Sequence, residues 1–262
     1  METIANQNPS PERVIARTSE CMRRLFEAGL SFDDLQKPID DRGVRERLVR
    51  LWKMDKSIPL RFTPSMDELL AGEIMGPNLF GVNKAVVHFG VNPSKQQLVA
   101  LSEIPFTQAE LRECKDSHVL VAVFPISILD IRSKVNSRLF YGRSWYNKEF
   151  FAKSRGKGGW HLVSKTPVAN STSSKTWDEQ QALLGKNDET PTAQVMVYTI
   201  IGHLLATDER LFENIYVRCL DVGSNGRRIY VGNIGLSGID INDSWDDNRY
   251  SNVGVASARK SV

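Results

Sequence analysis

Residues 233–252 read NIGLSGIDINDSWDDNRYSN, and residues 253–260 continue as VGVASARK. The first stretch draws on Asn, Asp, Ser, Gly and Ile, with Leu236, Trp245, Arg249 and Tyr250 as its only other residues, and it contains no Lys, Glu, Gln or Met. The second sets Val253, Val255 and Ser257 against Gly254, Ala256 and Ala258. That period-2 alternation predicts one strand, its small residues letting neighbouring elements approach closely. Just upstream, IYVRCLDV (215–222) and RRIYVG (227–232) read as two strands joined by the tight-turn sequence GSNG. The end of the chain is therefore expected to be β-structure carrying a polar surface.

The restricted alphabet of 233–252 also has a genetic meaning. Changing the two adenines of an AAY asparagine codon reaches Asn, Asp, Ser, Tyr, Gly, Ile, Leu and Arg, but never Lys, Glu, Gln, Met, Trp or a stop. Trp245 alone lies outside the reachable set. Calcium is a rival explanation for the acidic residues, since Asp240, Asn242, Ser244, Asp246 and Asn248 alternate as oxygen ligands would. A calcium loop needs a sharp glycine turn and a closing glutamate in frame, and neither follows. The run is read as exposed polar surface, with Asp246 or Asp247 pairing Arg249, and no metal or cofactor is expected.

N-terminal to this end, 191–206 is the clearest helix. Pro191 follows Thr190 as a first helical residue, and Ala193, Met196, Val197, Ile200, Ile201, Leu204 and Leu205 share an apolar face suited to a central core helix. Thr176 with Glu179 at the capping-box position predicts another helix. GGWHLVSKTPV predicts a strand starting near Trp160, and HVLVAVFPISILDI (118–131) a β-rich stretch bent at Pro125. Thr107 caps a helix over 108–114, 96–102 reads as a short helix, and KAVVHFGV (84–91) as a strand. The Gly, Pro and Asn density of 72–83 marks a linker, preceded by a Ser65/Glu68 capping-box pattern opening a helix through Ala71. The N-terminal third reads as helices over 11–28 and along the stripe Val44, Leu48, Leu51 and Trp52.

The chain has 262 residues, 41% hydrophobic and 25% charged, with a formal net charge of +3. That is enough for one large domain or two small ones, and it excludes disordered and fibrous classes. No apolar run reaches the roughly 18–20 residues that span a bilayer, and METIANQNPSPERVIAR lacks a signal-peptide core. A cytoplasmic location is expected, with association with a virion as the alternative. Cys21, Cys114 and Cys219 are odd in number and widely spaced, so neither a disulfide framework nor a zinc site is indicated.

Near-neutral charge conceals an asymmetry: residues 118–165 carry 9 basic and 2 acidic groups, residues 166–262 carry 9 and 12. In the basic part Arg132, Lys134, Arg138, Arg143, Lys148, Lys153, Arg155, Lys157 and Lys165 interleave with Phe140, Tyr141, Trp145, Tyr146, Phe150, Phe151 and Trp160. Cations for phosphates beside rings for bases are the ingredients of single-strand binding, which makes 132–165 the alternative functional segment. Catalytic templates fail. There is no GxxxxGK[ST], HExxH or GxSxG, and His88, His118, His161 and His203 lie on separate predicted elements.

From residue 117 onward the chain resembles the variable proteins of diversity-generating retroelements. The resemblance is carried by SRLFYGRSWYNKEFFAKSRGKGGWHLVSK, TWDEQQALL, TAQVMVYTIIGHLLATDERLFENIYVRC and WDDNRYSNVGVASARK. In that family, which includes the phage tropism determinants that recognise host receptors, a reverse transcriptase copies a template repeat with errors at adenines, and the copy overwrites the 3′ end of the gene. The resemblance implies an α+β chain: a helical N-terminal region over 1–116, and a C-type-lectin-like domain over 117–262 with a variable region at about 233–252. Trp245, Asp247, Arg249 and VGVASARK then form a fixed frame. Asn233, Ile234, Ser237, Asp240, Asn242, Ser244, Asp246, Asn248, Tyr250 and Ser251 are the candidate varied, ligand-facing positions, and Leu236 and Ile239 fit either class. The implied function is non-catalytic recognition of a protein or cell-surface ligand, without a catalytic residue. An enzyme of the formylglycine-generating type shares the lectin-like fold, and the lack of a paired-cysteine site argues against it.

Overall fold

A computed structural model describes residues 62–172 and 174–261, with Arg23, Ser31 and Gln36 as single residues. Apart from those single residues, the helices expected over 11–28 and along 44–52 lie outside the described residues, as does Cys21. The described chain is α+β. Its helices are α1 (Met66–Met75), α2 (Val82–Phe89), α3 (Lys95–Ala100), α4 (Gln108–Cys114), α5 (Ile128–Lys134), α6 (Phe150–Lys153), α7 (Trp177–Gln181) and α8 (Ala193–Thr207). Its strands are β1 (Leu79–Phe80), β2 (His118–Val123), β3 (Gly159–Ser164), β4 (Asp188–Glu189), β5 (Tyr216–Val222), β6 (Arg228–Gly235), β7 (Gly238–Ser244), β8 (Val253–Val255) and β9 (Ala258–Arg259).

Two sheets form. One has the order β1-β2-β3-β9-β4, with β1 and β2 parallel; the other has the order β7-β6-β5-β8, with β5 and β8 parallel. Helix α8 packs on both, against β1 and β2 on one side and β5 and β6 on the other. Every α8 residue from Ala193 to His203 is buried, so a helix this apolar all round belongs in a core rather than on a surface. Its cap is Thr192, whose hydroxyl accepts from the Val195 N–H, two residues later than expected. Pro191 instead precedes the cap, its carbonyl accepting from Leu220 N.

Several expectations are corrected. KAVVHFGV is not a strand: Val82, Ala85, Val86 and Phe89 are buried at helical spacing in α2, and Gly90 closes it in a left-handed conformation (φ 57°). A short apolar run satisfies both periods, and the bracketing glycines favour the helix. The proposed linker 72–83 holds β1, with Phe80 packed edge-on against Tyr198. Because β1 pairs with β2, one sheet crosses the division expected at 116/117. After Pro125 the chain turns helical, Ser127 and Asp130 capping α5 reciprocally. Ser65 caps α1, but Glu68 does not reach back to it; its buried carboxylate accepts from Val82 N at 2.9 Å.

The VGVASARK segment is two strands in different sheets, β8 and β9. Ala256 N donates to Arg218 O on one side and Ser257 O accepts from Ser164 N on the other, so the seven residues 253–259 stitch the sheets together. Gly254 is required by proximity, since a Cβ there would sit 2.7 Å from Pro167 Cβ and Ser171 Oγ. Among the described residues no helix is long and apolar enough to cross a membrane.

Candidate functional site on the outer sheet face

The β5–β6–β7 register sorts side chains onto two faces. Val217, Val231 and Ile241 pair across the strands, and with Cys219, Ile229 and Ile239 they are buried. On the opposite face Tyr216, Gly232 and Asp240 form one row, Arg218, Tyr230 and Asn242 the next, and Arg228 and Ser244 a third. The Tyr216 and Tyr230 rings meet edge-on at 5.1 Å. Burial together with Tyr250, Tyr216, Asp240 and Asp243 pushes the Tyr230 hydroxyl up to about 12, so it stays a neutral phenol at physiological pH.

Across this face lie residues 245–252, held through backbone carbonyls and also through the Asp246 and Arg249 side chains. Arg218, wholly buried, donates to Asn248 O at 2.6 Å while also holding Lys175 O and Gln180 Oε1. Trp177 N donates to Asp246 O, Tyr216 N to Asn252 O, and Gln180 Nε2 to Val253 O. Carbonyl oxygens are common to all residues, so these bonds do not depend on which side chains the segment carries.

The ten candidate positions divide accordingly. Asn233, Ser237, Tyr250 and Ser251 are exposed, and Asn242 and Asn248 half-buried. Asn233 sits at φ 47° beside the β6 bulge and donates to Tyr216 Oη at 3.2 Å. Ser237 shares the β6–β7 hairpin tip with Leu236, which is 94% exposed. Asn248 Nδ2 donates to Tyr250 Oη at 3.1 Å. The other four are engaged by the frame. Ile234 is buried, and so are Asp240 and Ser244. Asp246 is clamped by Arg228 through Nε at 3.0 Å and Nη2 at 2.8 Å, with the Arg228 guanidinium stacked 3.9 Å over Trp177. For Ile234, Asp240 and Ser244 the expectation of a ligand-facing side chain does not fit their burial; the Asp246 carboxylate is paired with Arg228 but remains 45% exposed.

Of the frame residues, Trp245 lies under Arg227 at 5.2 Å, and Asp247 is exposed. Arg249 pairs with Glu179 at 2.8 Å and donates to Ser174 O, so its partner is neither Asp246 nor Asp247. Ile239 is buried frame, whereas Leu236 is exposed.

Sequence reading missed Tyr216, Arg218, Arg228 and Tyr230, and it set Arg143 and Tyr141 in the basic aromatic segment rather than on this face. The signal for four of these face residues was present in the alternation of IYVRC and RRIYVG, which puts Tyr216 with Arg218 and Arg228 with Tyr230 on common faces. Arg143 and Tyr141 arrive from a distant loop: Tyr141 N donates to Ile239 O, binding that loop to the β7 edge.

The rings of the basic aromatic segment are largely absorbed by folding, while Lys134, Arg138, Lys148, Lys153, Arg155 and Lys157 are exposed. Phe140, Tyr146, Phe151 and Trp160 are buried, and Trp145 Nε1 donates to Ile241 O. Tyr141 and Phe150 (84% exposed) are its exposed rings. Arg132 holds Tyr146 Oη and Asn147 Oδ1, Arg155 pairs with Asp130, and Lys165 pairs with Glu209. Elsewhere, Cys114 and Cys219 are buried free thiols, pushed up by burial, and the buried His203 is satisfied by Glu209 at 2.9 Å. Among the described residues no three His, Cys, Asp or Glu side chains gather as a metal site would require. No family profile matches the chain, and no curated protein or solved structure matches it.

Proposed function

We propose that this chain is a recognition protein of the retroelement-diversified kind, binding a protein or cell-surface ligand without catalysis. Its varied residues stand on the outer face of β5–β6–β7, within a C-type-lectin-like scaffold. The observation that carries the reading is the way residues 245–252 are held. Arg218, Trp177, Tyr216 and Gln180 all bond to carbonyl oxygens of the segment or its first following residue. A segment held by its carbonyls keeps its path while its side chains change, which is what a repertoire needs. Tyr, Ser and Asn, the residues presented here, are the adaptable vocabulary of evolved paratopes. The return of β9 to pair with β3 also supports a lectin-like closure, in which the chain end stabilises the domain independently of the varied surface.

Two libraries built from adenine-substituted AAY codons test this division. One varies Asn233, Ser237, Asn242, Asn248, Tyr250 and Ser251; the other varies Ile234, Asp240, Ser244 and Asp246. Members of the first are expected to stay folded, each change costing under about 0.5 kcal/mol, except at Asn233, where the left-handed backbone adds about 1–2 kcal/mol for residues other than Gly, Asn or Asp. Members of the second lose about 2–4 kcal/mol where the buried Ile234, Asp240 or Ser244 is replaced by a residue the interior does not accommodate, and about 0–1 kcal/mol at Asp246, whose ion pair is half-exposed. Equal loss of folded protein in both libraries would contradict the proposal.

A further inference from the structure

Arg143 lies at the margin of the outer face with its two ends in different environments. Its Nε is buried and stands 3.0 Å from Asp240 Oδ1, not aimed along that line as a hydrogen bond requires. Asp240 is itself turned inward: its carboxylate is 8% exposed, and Oδ2 accepts from Tyr216 Oη at 3.0 Å. The guanidinium rests 5.3 Å over the exposed Tyr141 ring. The Arg143 side chain is 39% exposed, and neither Nη nitrogen donates to any described residue. The pair is thus a fixed dipole, its negative end sealed beneath Tyr216 and its positive, forked end open to solvent.

We propose that Arg143 is a fixed anchor for a carboxylate presented by the ligand, an Asp or Glu side chain of a partner protein. This rests on the outer face being the recognition surface. A guanidinium edge with two parallel N–H groups matches a carboxylate in a way no single donor does. Its Nε partner and the ring beneath it restrict the rotamers that free arginines lose on binding. Tyr230, Asn242 and Asn233 nearby are neutral, so one carboxylate meets no repulsion from them. Arg143 stands outside the varied window, so every member of the repertoire would carry the same preference for an acidic side chain, with affinity and identity tuned by the residues around it.

The test uses the full chain, ¹⁵N-labelled, with the arginine side-chain resonances followed by NMR at constant ionic strength. The probes are acetate, acetamide and a trithymidine oligonucleotide. Acetate is expected to move the Arg143 resonances saturably and acetamide to leave them still. In Arg143→Lys acetate binding at this face, read from the Tyr141 ring resonances, weakens at least about fivefold because the fork is lost. In Arg143→Gln it disappears, with thermal unfolding of both variants showing intact protein. Movement linear in acetate, an equal response to acetamide, or an unchanged Tyr141 response in Arg143→Gln overturns the proposal. Tighter binding of the oligonucleotide than of acetate at Arg143 overturns it in favour of a nucleic-acid partner. Failure here leaves the retroelement reading standing, since that reading is tested separately on the gene's neighbouring DNA.

Discussion

Arg218 is a buried cation with no ion pair among the described residues; three carbonyl-type oxygens accept from it, and its Nε bonds to none of those residues. Burying a guanidinium this way is costly, and its use at the one point where the 245–252 segment crosses the sheet fits a part that must hold whatever side chains pass above it. At the rim of the same segment, Arg249 works through Glu179. Hydrogen bonds from Arg249 and from Thr176 N hold the Glu179 carboxyl at about 2, below its ordinary 4.5. The depressed value means that the stabilisation is complete above about pH 4.5 and is lost as pH falls towards 2. Carboxyl titration by NMR should give a Glu179 midpoint near 2 that moves upward in Arg249→Met. An unmoved midpoint would show that Arg249 does not hold this end of the segment. Neither residue was legible as a tether: Arg249 read as a partner of Asp246 or Asp247, because neighbours in sequence were the only partners in view.

The β6–β7 hairpin shows which parts of the varied window belong to the frame. Gly238 has φ +88°, and a Cβ there would collide with the backbone of Leu139 and Phe140, which pack on the β7 edge. Gly235, its cross-strand partner, has nothing within 4 Å of such a Cβ. Gly238→Ala is therefore expected to lose about 2–4 kcal/mol in denaturant unfolding, and Gly235→Ala less than about 1 kcal/mol. Equal losses would mean that the 139–145 loop does not press on β7. The strand alternation of IYVRC and RRIYVG, the GSNG turn and the Thr107 and Thr176 caps were all readable because each is a local rule. What covers β7 was not, because Leu139 and Phe140 lie about a hundred residues away in sequence. The same limit explains VGVASARK: its alternation announces extended backbone but carries no mark of the point where the chain leaves one sheet for the other.

At the scale of the molecule, the core helix α8 between two sheets isolates stability from the outer face. Its buried run from Ala193 to His203 and the inner rows Val217, Val231 and Ile241 share no side chain with the exposed positions of 233–251. In the proposed reading the restricted alphabet marks the recognition surface, and the fold separates its exposed positions from its buried or paired ones. Ile234, Asp240, Ser244 and Asp246 belong to the alphabet yet are engaged by the frame, which codon composition alone does not reveal. If this face is rewritten at its adenines, as we propose, the DNA beside the gene carries the record of it. A near-copy of the 3′ end and a reverse-transcriptase gene are predicted there, with adenines in the copy at the codons for Asn233, Ser237, Asn242, Asn248, Tyr250 and Ser251. Neighbouring DNA holding neither a near-copy nor a reverse transcriptase would contradict it.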